Sequence, residues 1–341
     1  MQGKTIVAIL VVASMIAIAI FLHQEKKETL IIFHAGSLST PFSELEKIFE
    51  KKYSVDVRRE AAGSKATIRK ITELGKKADV VASADYTLIE DMMISSKYAN
   101  FCIKFAKNKM VIAYTNRSKY KNEINGSNWY KIMTRKDVRF GFSNPNDDPC
   151  GYRALIVVQL AEIYYKNDHI FDELIEKNSN IESRKENGSY IIFIPPSAEL
   201  GINVAKIAIR SAEIDLMASL ETGDIDYLFI YRSVAYQHRH SGVNFIELPE
   251  EIDLSNSNFT SLYSKVKVSF ASGDIIEGEP IIYGITIPKN SENVEMAIKF
   301  IAFLLNETGQ KIFQENGQIV ITPAICDNIT ALPPALKKYV V

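Results

Sequence analysis

The chain has 341 residues, of which 24% are charged and 47% are hydrophobic, with only 16 glycines and 11 prolines. This globular composition allows two modest lobes or one large one, and it excludes a disordered, a collagen-like or a polytopic membrane protein. Forty Lys and Arg residues against 41 Asp and Glu residues give a formal net charge of -1. Since no overall basic field could hold nucleic acid, no nucleic-acid partner is expected, and any bound anion must be held by local geometry.

The amino terminus contains an uncharged apolar segment at residues 5–22 (TIVAILVVASMIAIAIFL), which follows Lys4. A short polar spacer, HQEKKE, comes after it. The segment is long for the core of a signal peptide and reaches the lower limit for crossing a bilayer. We therefore expect residues 1–27 to anchor the chain in the membrane with its folded part outside the cytoplasm. A cleaved signal peptide, giving a secreted protein, is the alternative.

Strands and helices alternate after the spacer. A strand at 30–33 runs through Gly36-Ser37 into a helix, and a strand at 54–60 runs through Gly63-Ser64 into a second helix. Further strands are predicted at 79–82, 101–106 and 110–114. This alternation predicts an open α/β sheet, in which ligands gather where strands end and helices begin.

A second set of elements begins near residue 116. A strand at 139–142 leads to Asp148, Pro149 and Cys150, where Asp148 suits the N-cap and Pro149 the first position of a helix. Three more segments follow: a strand at 205–209 that precedes Glu213 at a helix start, a strand at 226–231 that ends in Tyr231, and a central strand at 280–287.

The two Gly-Ser turns indicate an anion. Unpaired N–H groups at a helix start, the positive end of the helix dipole and a serine hydroxyl all favour an oxyanion. One such turn is weak evidence, because serine is a common N-cap that needs no ligand. Gly36-Ser37 and Gly63-Ser64 occur in successive units, and Asp148 starts a further helix in the other half of the chain. Two halves facing each other across a cleft would surround a small anion.

Asp148 and Glu213 have two interpretations. Their carboxylates are favourable at helix starts and need no ligand there. Beside a bound anion they would repel it, unless they coordinate its central atom. A sulfur or phosphorus centre cannot accept extra carboxylate oxygens, whereas a large hexavalent metal centre can. The residues alone leave both interpretations open.

Five segments carry a family resemblance: FHAGSLS (33–39), AAGSKAT (61–67), SNPNDDPCGYRA (143–154), LETGDIDYLFIYRSVA (220–235) and YGITIPKN (283–290). In this order they resemble the archaeal molybdate/tungstate-binding proteins of ABC importers. The resemblance implies an α/β, two-lobed periplasmic-binding-protein fold of class II, with a ligand cleft between the lobes and a two-segment hinge. It implies oxyanion contacts from Gly36, Ser37, Ser64, Asp148, Pro149, Cys150, Glu213 and Tyr231. It also implies that Asp148 and Glu213 coordinate the molybdenum or tungsten atom.

The resemblance further implies a non-catalytic receptor that captures tungstate or molybdate, uses no separate cofactor and delivers the anion to the permease and ATPase subunits of an ABC transporter. We expect residues 28–114 and 242–341 to form the first lobe and residues 115–241 the second. Two alternatives stay open. One is a sulfate or phosphate receptor of the same fold, and the other is an exported enzyme acting on a phosphorylated or sulfated substrate, for which the sequence offers no convincing nucleophile and base.

Overall fold

The computed structural model describes residues 27–341. The predicted anchor at 5–22 therefore lies outside the described residues. Within the described range, no helix is both long enough and apolar enough to cross a membrane.

The first sheet has six strands: β1 (Thr29–Ala35), β2 (Asp56–Ala62), β3 (Val80–Ser83), β4 (Ile103–Lys107), β14 (Ile282–Thr286) and β15 (Ile319–Cys326). They lie in the order β15-β4-β14-β3-β1-β2. Strand β1 is parallel to β2 and β3, and the remaining pairs are antiparallel. The helices of this part of the chain are α1 (Ser39–Tyr53), α2 (Ser64–Thr72), α3 (Tyr86–Ile89), α10 (Val294–Leu305) and α11 (Glu307–Glu315).

The second sheet has five strands: β5 (Met110–Tyr114), β6 (Phe140–Ser143), β9 (Ile207–Arg210), β10 (Tyr227–Tyr231) and β11 (Asn244–Glu247). They lie in the order β11-β5-β10-β6-β9, with β10, β6 and β9 parallel. The associated helices are α4 (Trp129–Met133), α5 (Pro149–Tyr165), α6 (Ile170–Leu174), α7 (Met217–Thr222) and α8 (Arg232–Gln237). Helix α5 is predominantly apolar and buried from Pro149 to Glu162, as expected of a core helix.

A third, four-stranded sheet was not predicted from the sequence. It contains β7 (Glu182–Glu186), β8 (Ser189–Ile194), β12 (Val266–Phe270) and β13 (Ile275–Glu277), in the order β13-β12-β8-β7, and the short helix α9 (Thr260–Tyr263) precedes β12. Strand β12 packs against α5. The hairpin between β12 and β13 reaches α2, where Asp274 pairs with the buried Lys65 at 3.2 Å.

The chain passes between the first two sheets twice. It leaves the first sheet at residues 108–109, between β4 and β5, and it returns between β11 and β14. Because β5 pairs with both β10 and β11, both β5 and β11 belong to the second sheet. The predicted lobe boundaries differ from this pairing, since they place 110–114 and 242–247 in the first lobe.

The predicted α/β alternation is confirmed, and the predicted bounds of β5 agree with the structure. A 3-10 turn at Gly36–Leu38 leads directly into the helix at Ser39, whose backbone N–H donates to the Gly36 carbonyl. Ser37 therefore lies in this turn, before the helix itself.

Asp79, just before β3, links two distant segments of the first sheet region. One carboxylate oxygen accepts from the Ile31 backbone N–H at 2.8 Å. The other accepts from the Ser291 hydroxyl and from the backbone N–H groups of Glu292 and Asn293, at 2.8 to 2.9 Å. These bonds hold the loop before α10 against β1.

Asp79→Ala should lower the free energy of unfolding by about 2–4 kcal/mol, because it removes a buried carboxylate and leaves four partly buried donors without their acceptor. Lys77→Ala is the control, since the ion pair that Lys77 forms within the described residues is an exposed one with Glu292. It should cost less than about 1 kcal/mol. Guanidinium unfolding followed by circular dichroism measures both. Equal losses in the two variants would contradict the role of Asp79.

Candidate functional site between the lobes

The predicted site residues lie where strands of the parallel sets end, and all of them are buried. Ser37 follows β1 and Ser64 follows β2 in the first sheet. In the second sheet, Asp148 follows β6, Glu213 follows β9 and Tyr231 is the last residue of β10. Gly36, Pro149 and Cys150 complete the set of eight buried residues. Carboxyl ends of parallel strands meet at one edge of a sheet, so each sheet presents its residues to the other.

The two lobes approach closely at these residues. A Cβ atom built on Gly63 would lie 2.4 Å from the Asp147 carbonyl oxygen and 2.8 Å from the Asp148 Cβ, so only glycine allows this approach. The Ala66 backbone N–H donates to the Asp147 carbonyl at 3.1 Å. A Cβ on Gly36 would lie 3.2 Å from a carboxylate oxygen of Glu213. The described arrangement is thus a closed one.

Asp148 is the N-cap of α5, as predicted. Its Oδ1 accepts from the Cys150 backbone N–H at 3.3 Å, and its Oδ2 accepts from the Glu213 backbone N–H at 3.0 Å. The carboxylate therefore joins the start of α5 to the Glu213 turn. Burial raises the pKa of Asp148, and these hydrogen bonds offset part of that rise.

The interpretation of Glu213 as a capping residue is wrong. Glu213 is the first residue of a 3-10 turn, Glu213–Leu216, and the side chain that bonds the backbone there belongs to Asp215, which accepts from the Ala212 N–H at 3.3 Å. Neither carboxylate oxygen of Glu213 has a hydrogen-bond partner within the described residues, although the side chain is 1% exposed. Sequence reasoning from helix starts assigned it the role that Asp215 performs.

The buried position of Glu213 is electrostatically unfavourable for an ionised carboxylate. Burial, and next the nearby charge of Asp148, raise the pKa of Glu213 well above its ordinary range. An unpaired buried carboxylate is strongly disfavoured unless it is protonated or meets a partner that compensates its lost hydration. Within residues 27–341, no cluster of three or more His, Cys, Asp or Glu side chains could hold a metal ion. The site thus contains two carboxylates, of which only that of Asp148 is hydrogen-bonded within the described residues.

Two of the predicted hydroxyl groups accept hydrogen bonds from groups that can only donate. The Tyr231 hydroxyl accepts from the Arg153 guanidinium at 2.9 Å. The Ser64 hydroxyl accepts from the Ala84 backbone N–H at 2.9 Å. Because neither partner can accept a hydrogen bond, both hydroxyls keep a proton that can be donated into the site.

Cys150 contributes through its backbone N–H, which bonds Asp148. Its thiol is free and fully buried, as is that of Cys102, and Cys326 is free and largely buried. Burial raises the pKa of the Cys150 thiol well above its ordinary value, so the nucleophilic thiolate is disfavoured. This argues against Cys150 as an enzymatic nucleophile.

Arg153 is a residue of the site that sequence reasoning missed. It is buried on α5 and donates to the Ala84 carbonyl at 2.7 Å, and its guanidinium pairs with Asp85 at 2.9 Å. The Tyr152 hydroxyl also bonds Asp85. These contacts tie the second lobe to the first beside Tyr231. The available signal was a charged residue inside the apolar segment CGYRALIVV, which indicates a buried ion pair.

Two α/β lobes joined by two crossing segments, with a buried site at facing strand ends, define a periplasmic-binding-protein fold. The periplasmic molybdate-binding protein of Azotobacter vinelandii has this fold. Its TM-score is 0.59 at 14% identity, over 86% of this chain and 99% of that chain. At this identity the likeness shows the fold alone, and it confirms the predicted fold class.

Residues 30–318 match the family described as bacterial extracellular solute-binding protein, and the chain belongs to that family. An uncharacterized solute-binding protein of Methanococcus maripaludis is 48% identical over 318 residues, which are 92% of each chain. The molybdate/tungstate-binding protein WtpA of Pyrococcus abyssi is 46% identical over 310 residues, which are 88% of this chain and 87% of that one. The predicted resemblance is confirmed, while the roles of the individual site residues stay predictions.

Ligand-free Glu213→Gln should melt above the unsubstituted protein, and the difference should grow from pH 5 to pH 8. The folded-state pKa is raised, so the stability linked to protonated Glu213 is present below its ordinary pKa of about 4.3 and is lost as the pH rises towards the raised value. Glutamine does not titrate and escapes this loss, with an expected gain of about 2–4 °C at pH 8.

Thermal melts at several pH values measure this difference. Glu73→Gln, which alters an exposed carboxylate just after α2, should shift the melting temperature equally at pH 5 and pH 8. A pH-independent gain for Glu213→Gln would mean that the Glu213 carboxylate is not held in an unfavourable environment.

Proposed function

We propose that this chain is the extracytoplasmic substrate-binding component of an ABC transporter, and that it captures tungstate or molybdate in the cleft between its lobes. The observation that carries the proposal is the Glu213 carboxylate, which is buried and unpaired within residues 27–341 beside the carboxylate of Asp148. Around these two acids lie hydroxyl groups with protons to donate. A ligand for this site must accept hydrogen bonds at its periphery and carboxylate oxygens at its centre.

A tetrahedral metal oxoanion meets both requirements. Its oxygens would accept from the hydroxyls of Ser37, Ser64 and Tyr231. Its hexavalent metal centre can expand its coordination from four to six and accept one oxygen each from Asp148 and Glu213. Sulfate and phosphate have centres that cannot expand in this way, so the two carboxylates would only repel them. The molybdenum or tungsten atom is cargo in this scheme, and no separate cofactor is proposed.

The relatives support the proposal. The Pyrococcus abyssi protein carries the name molybdate/tungstate-binding protein, and its alignment with this chain covers most of both sequences. The family description places its members outside the cell. We propose a non-catalytic role, with permease and ATPase subunits of an ABC transporter as partners. The apolar segment at 5–22 would hold the folded part at the outer face of the membrane.

Ligand binding would be coupled to lobe closure. The charged pair of Asp148 and Glu213 disfavours a closed, empty cleft, whereas an anion that both carboxylates coordinate favours closure. Binding would therefore shift the population towards the closed form by a motion at the two crossing segments. The closed lobes would then present one joint surface to the transporter.

Calorimetric titration of the full-length protein, stripped of ligand and held in detergent, tests the proposal. We expect tight 1:1 binding of tungstate and molybdate, and no heat from sulfate or phosphate. Glu213→Gln should weaken tungstate binding about 10- to 100-fold, because one ligand to the metal centre is lost. Binding of sulfate or phosphate by the unsubstituted protein, or a gain of sulfate affinity without loss of tungstate affinity in the variant, would instead favour an ordinary oxyanion receptor.

Gly63→Ala should weaken tungstate binding about 10-fold or more, since the new methyl group would contact the Asp147 carbonyl at 2.4 Å and hold the lobes apart. Small-angle scattering at saturating tungstate should show a larger radius of gyration than that of the unsubstituted protein. Gly188→Ala is the control. It also adds a methyl group to a glycine, here in a turn with a φ of 82°, but that methyl group would meet no atom of the described residues within 4 Å. It should therefore leave the affinity for tungstate unchanged. An unaffected affinity in Gly63→Ala would show that closure does not need this approach.

A further inference from the structure

A buried chain of hydrogen bonds leads from the crossing segments to the site. Asn108 lies between β4 and β5, at the first crossing, and its backbone N–H donates at 3.2 Å to the carbonyl of Ile281, just before β14. Its side chain contacts the Tyr283 hydroxyl on β14 at 2.8 Å. The Tyr283 hydroxyl in turn contacts the Ser37 hydroxyl at 3.1 Å. All three side chains are buried.

The orientation of the Asn108 amide follows from its partners. The Oδ1 atom accepts from the backbone N–H of Lys109 at 3.0 Å and from that of Ser233 at 3.3 Å. The Nδ2 group must therefore face the Tyr283 hydroxyl and the Ser233 hydroxyl, which lies at 2.7 Å. Both Nδ2 protons are used by these two bonds.

The orientation of the Asn108 amide determines which group donates in each hydrogen bond between Asn108 and Ser37. Tyr283 accepts from Asn108, and among the described residues the Ser37 hydroxyl is the remaining partner of the Tyr283 hydroxyl, so the single proton of Tyr283 is donated to Ser37. The Ser37 oxygen accepts that proton, so the proton of Ser37 itself is left to point elsewhere. Within the described residues, the acceptor that the Ser37 hydroxyl faces is the Glu213 carboxylate, whose pKa it lowers, so the hydroxyl points into the site. Its proton is therefore available to a bound anion.

The other two hydroxyls of the site also accept a hydrogen bond from the protein and keep their own proton. Tyr231 accepts from Arg153, and Ser64 accepts from the Ala84 backbone N–H. Three hydroxyls on different elements thus each receive a hydrogen bond from a group whose donating role is fixed. This repetition favours a ligand whose peripheral atoms are all acceptors.

We propose that Asn108 is a positioning residue for anion binding, which acts through Tyr283 to hold the Ser37 hydroxyl as a donor to the bound oxyanion. The inference rests on the proposed function, in which an oxyanion lies beside Ser37. It adds that one amide at the crossing segments sets the direction in which the Ser37 hydroxyl donates. Asn108 itself does not contact the ligand.

Asn108→Asp tests this role because it reverses the chain. A carboxylate at this position accepts from Tyr283, so the Tyr283 oxygen would accept from Ser37 and turn the serine proton away from the anion. We would measure tungstate affinity by calorimetry on full-length protein with and without Asn108→Asp, in the native background and in the Ser37→Ala background. The loss common to both backgrounds reports direct repulsion by the new charge. The additional loss in the native background should be about 10-fold.

A matched charge change controls for the net charge. Asn244→Asp, on the exposed edge of β11, should change the affinity by less than about 2-fold. If Asn108→Asp fails to fold in a thermal melt, Tyr283→Phe replaces it without adding charge. That variant should weaken binding about 3-fold when Ser37 is present and have no effect in the Ser37→Ala background.

Losses that are equal in the two backgrounds would overturn the proposal, since Asn108 would then act on the fold or on the hinge. Failure of the unsubstituted protein to bind tungstate and molybdate would overturn the proposed function together with this inference. Binding by the unsubstituted protein with equal losses overturns only the role of Asn108.

Discussion

The rest of the site depends on the burial of two acidic side chains side by side where the lobes meet. Asp148 is compensated, because two backbone N–H groups donate to its carboxylate. Glu213 is not, because neither of its oxygens has a partner among residues 27–341. A closed cleft with these groups charged is therefore unfavourable on its own. The glycines, the hydroxyls and the lobe contacts around the two acids are intelligible as parts of a binding site that a suitable ligand completes, and they would serve little purpose as packing alone.

Topology brings these residues together from five strand ends. The sequence predicts this convergence, because buried strands followed by Gly-Ser turns or by Asp-Pro indicate where parallel strands stop. It also predicts Asp148 as an N-cap, since capping is decided within a few residues. Glu213 shows the limit of such local reasoning. Its position at a helix start favours a cap, yet Asp215 accepts the local N–H and Glu213 faces the other lobe, which no local pattern reports.

Long-range pairing explains the other failures. The segment ESRKE of β7 shows no alternation of apolar and polar residues, and β8 pairs in parallel with β12, which is distant in sequence, so no local pattern reports the third sheet as a whole. The alternation in VKVSF of β12 was the one available signal, and it was missed. Arg153 could have been noticed as a charge inside an apolar helix. Asn108 could not, because its partner Tyr283 is 175 residues away and an asparagine between two strands is typical of an ordinary turn. The direction of each hydrogen bond in a site depends on which groups lie next to each other, and the fold, not the local sequence, brings those groups together.

The hydrogen bonds of Asn108 also connect selectivity with closure. Ser233 follows β10 of the second sheet, Tyr283 lies on β14 of the first, and Asn108 bonds both at the point where the chain crosses between the sheets. A change in the angle between the lobes would alter the same bonds that direct the Ser37 proton. Closure would therefore set the donors in place as it brings Glu213 and Asp148 towards the anion. An oxyanion that cannot accept the carboxylates would meet their repulsion at that same moment, so the site would discriminate between anions by how far each allows the lobes to close.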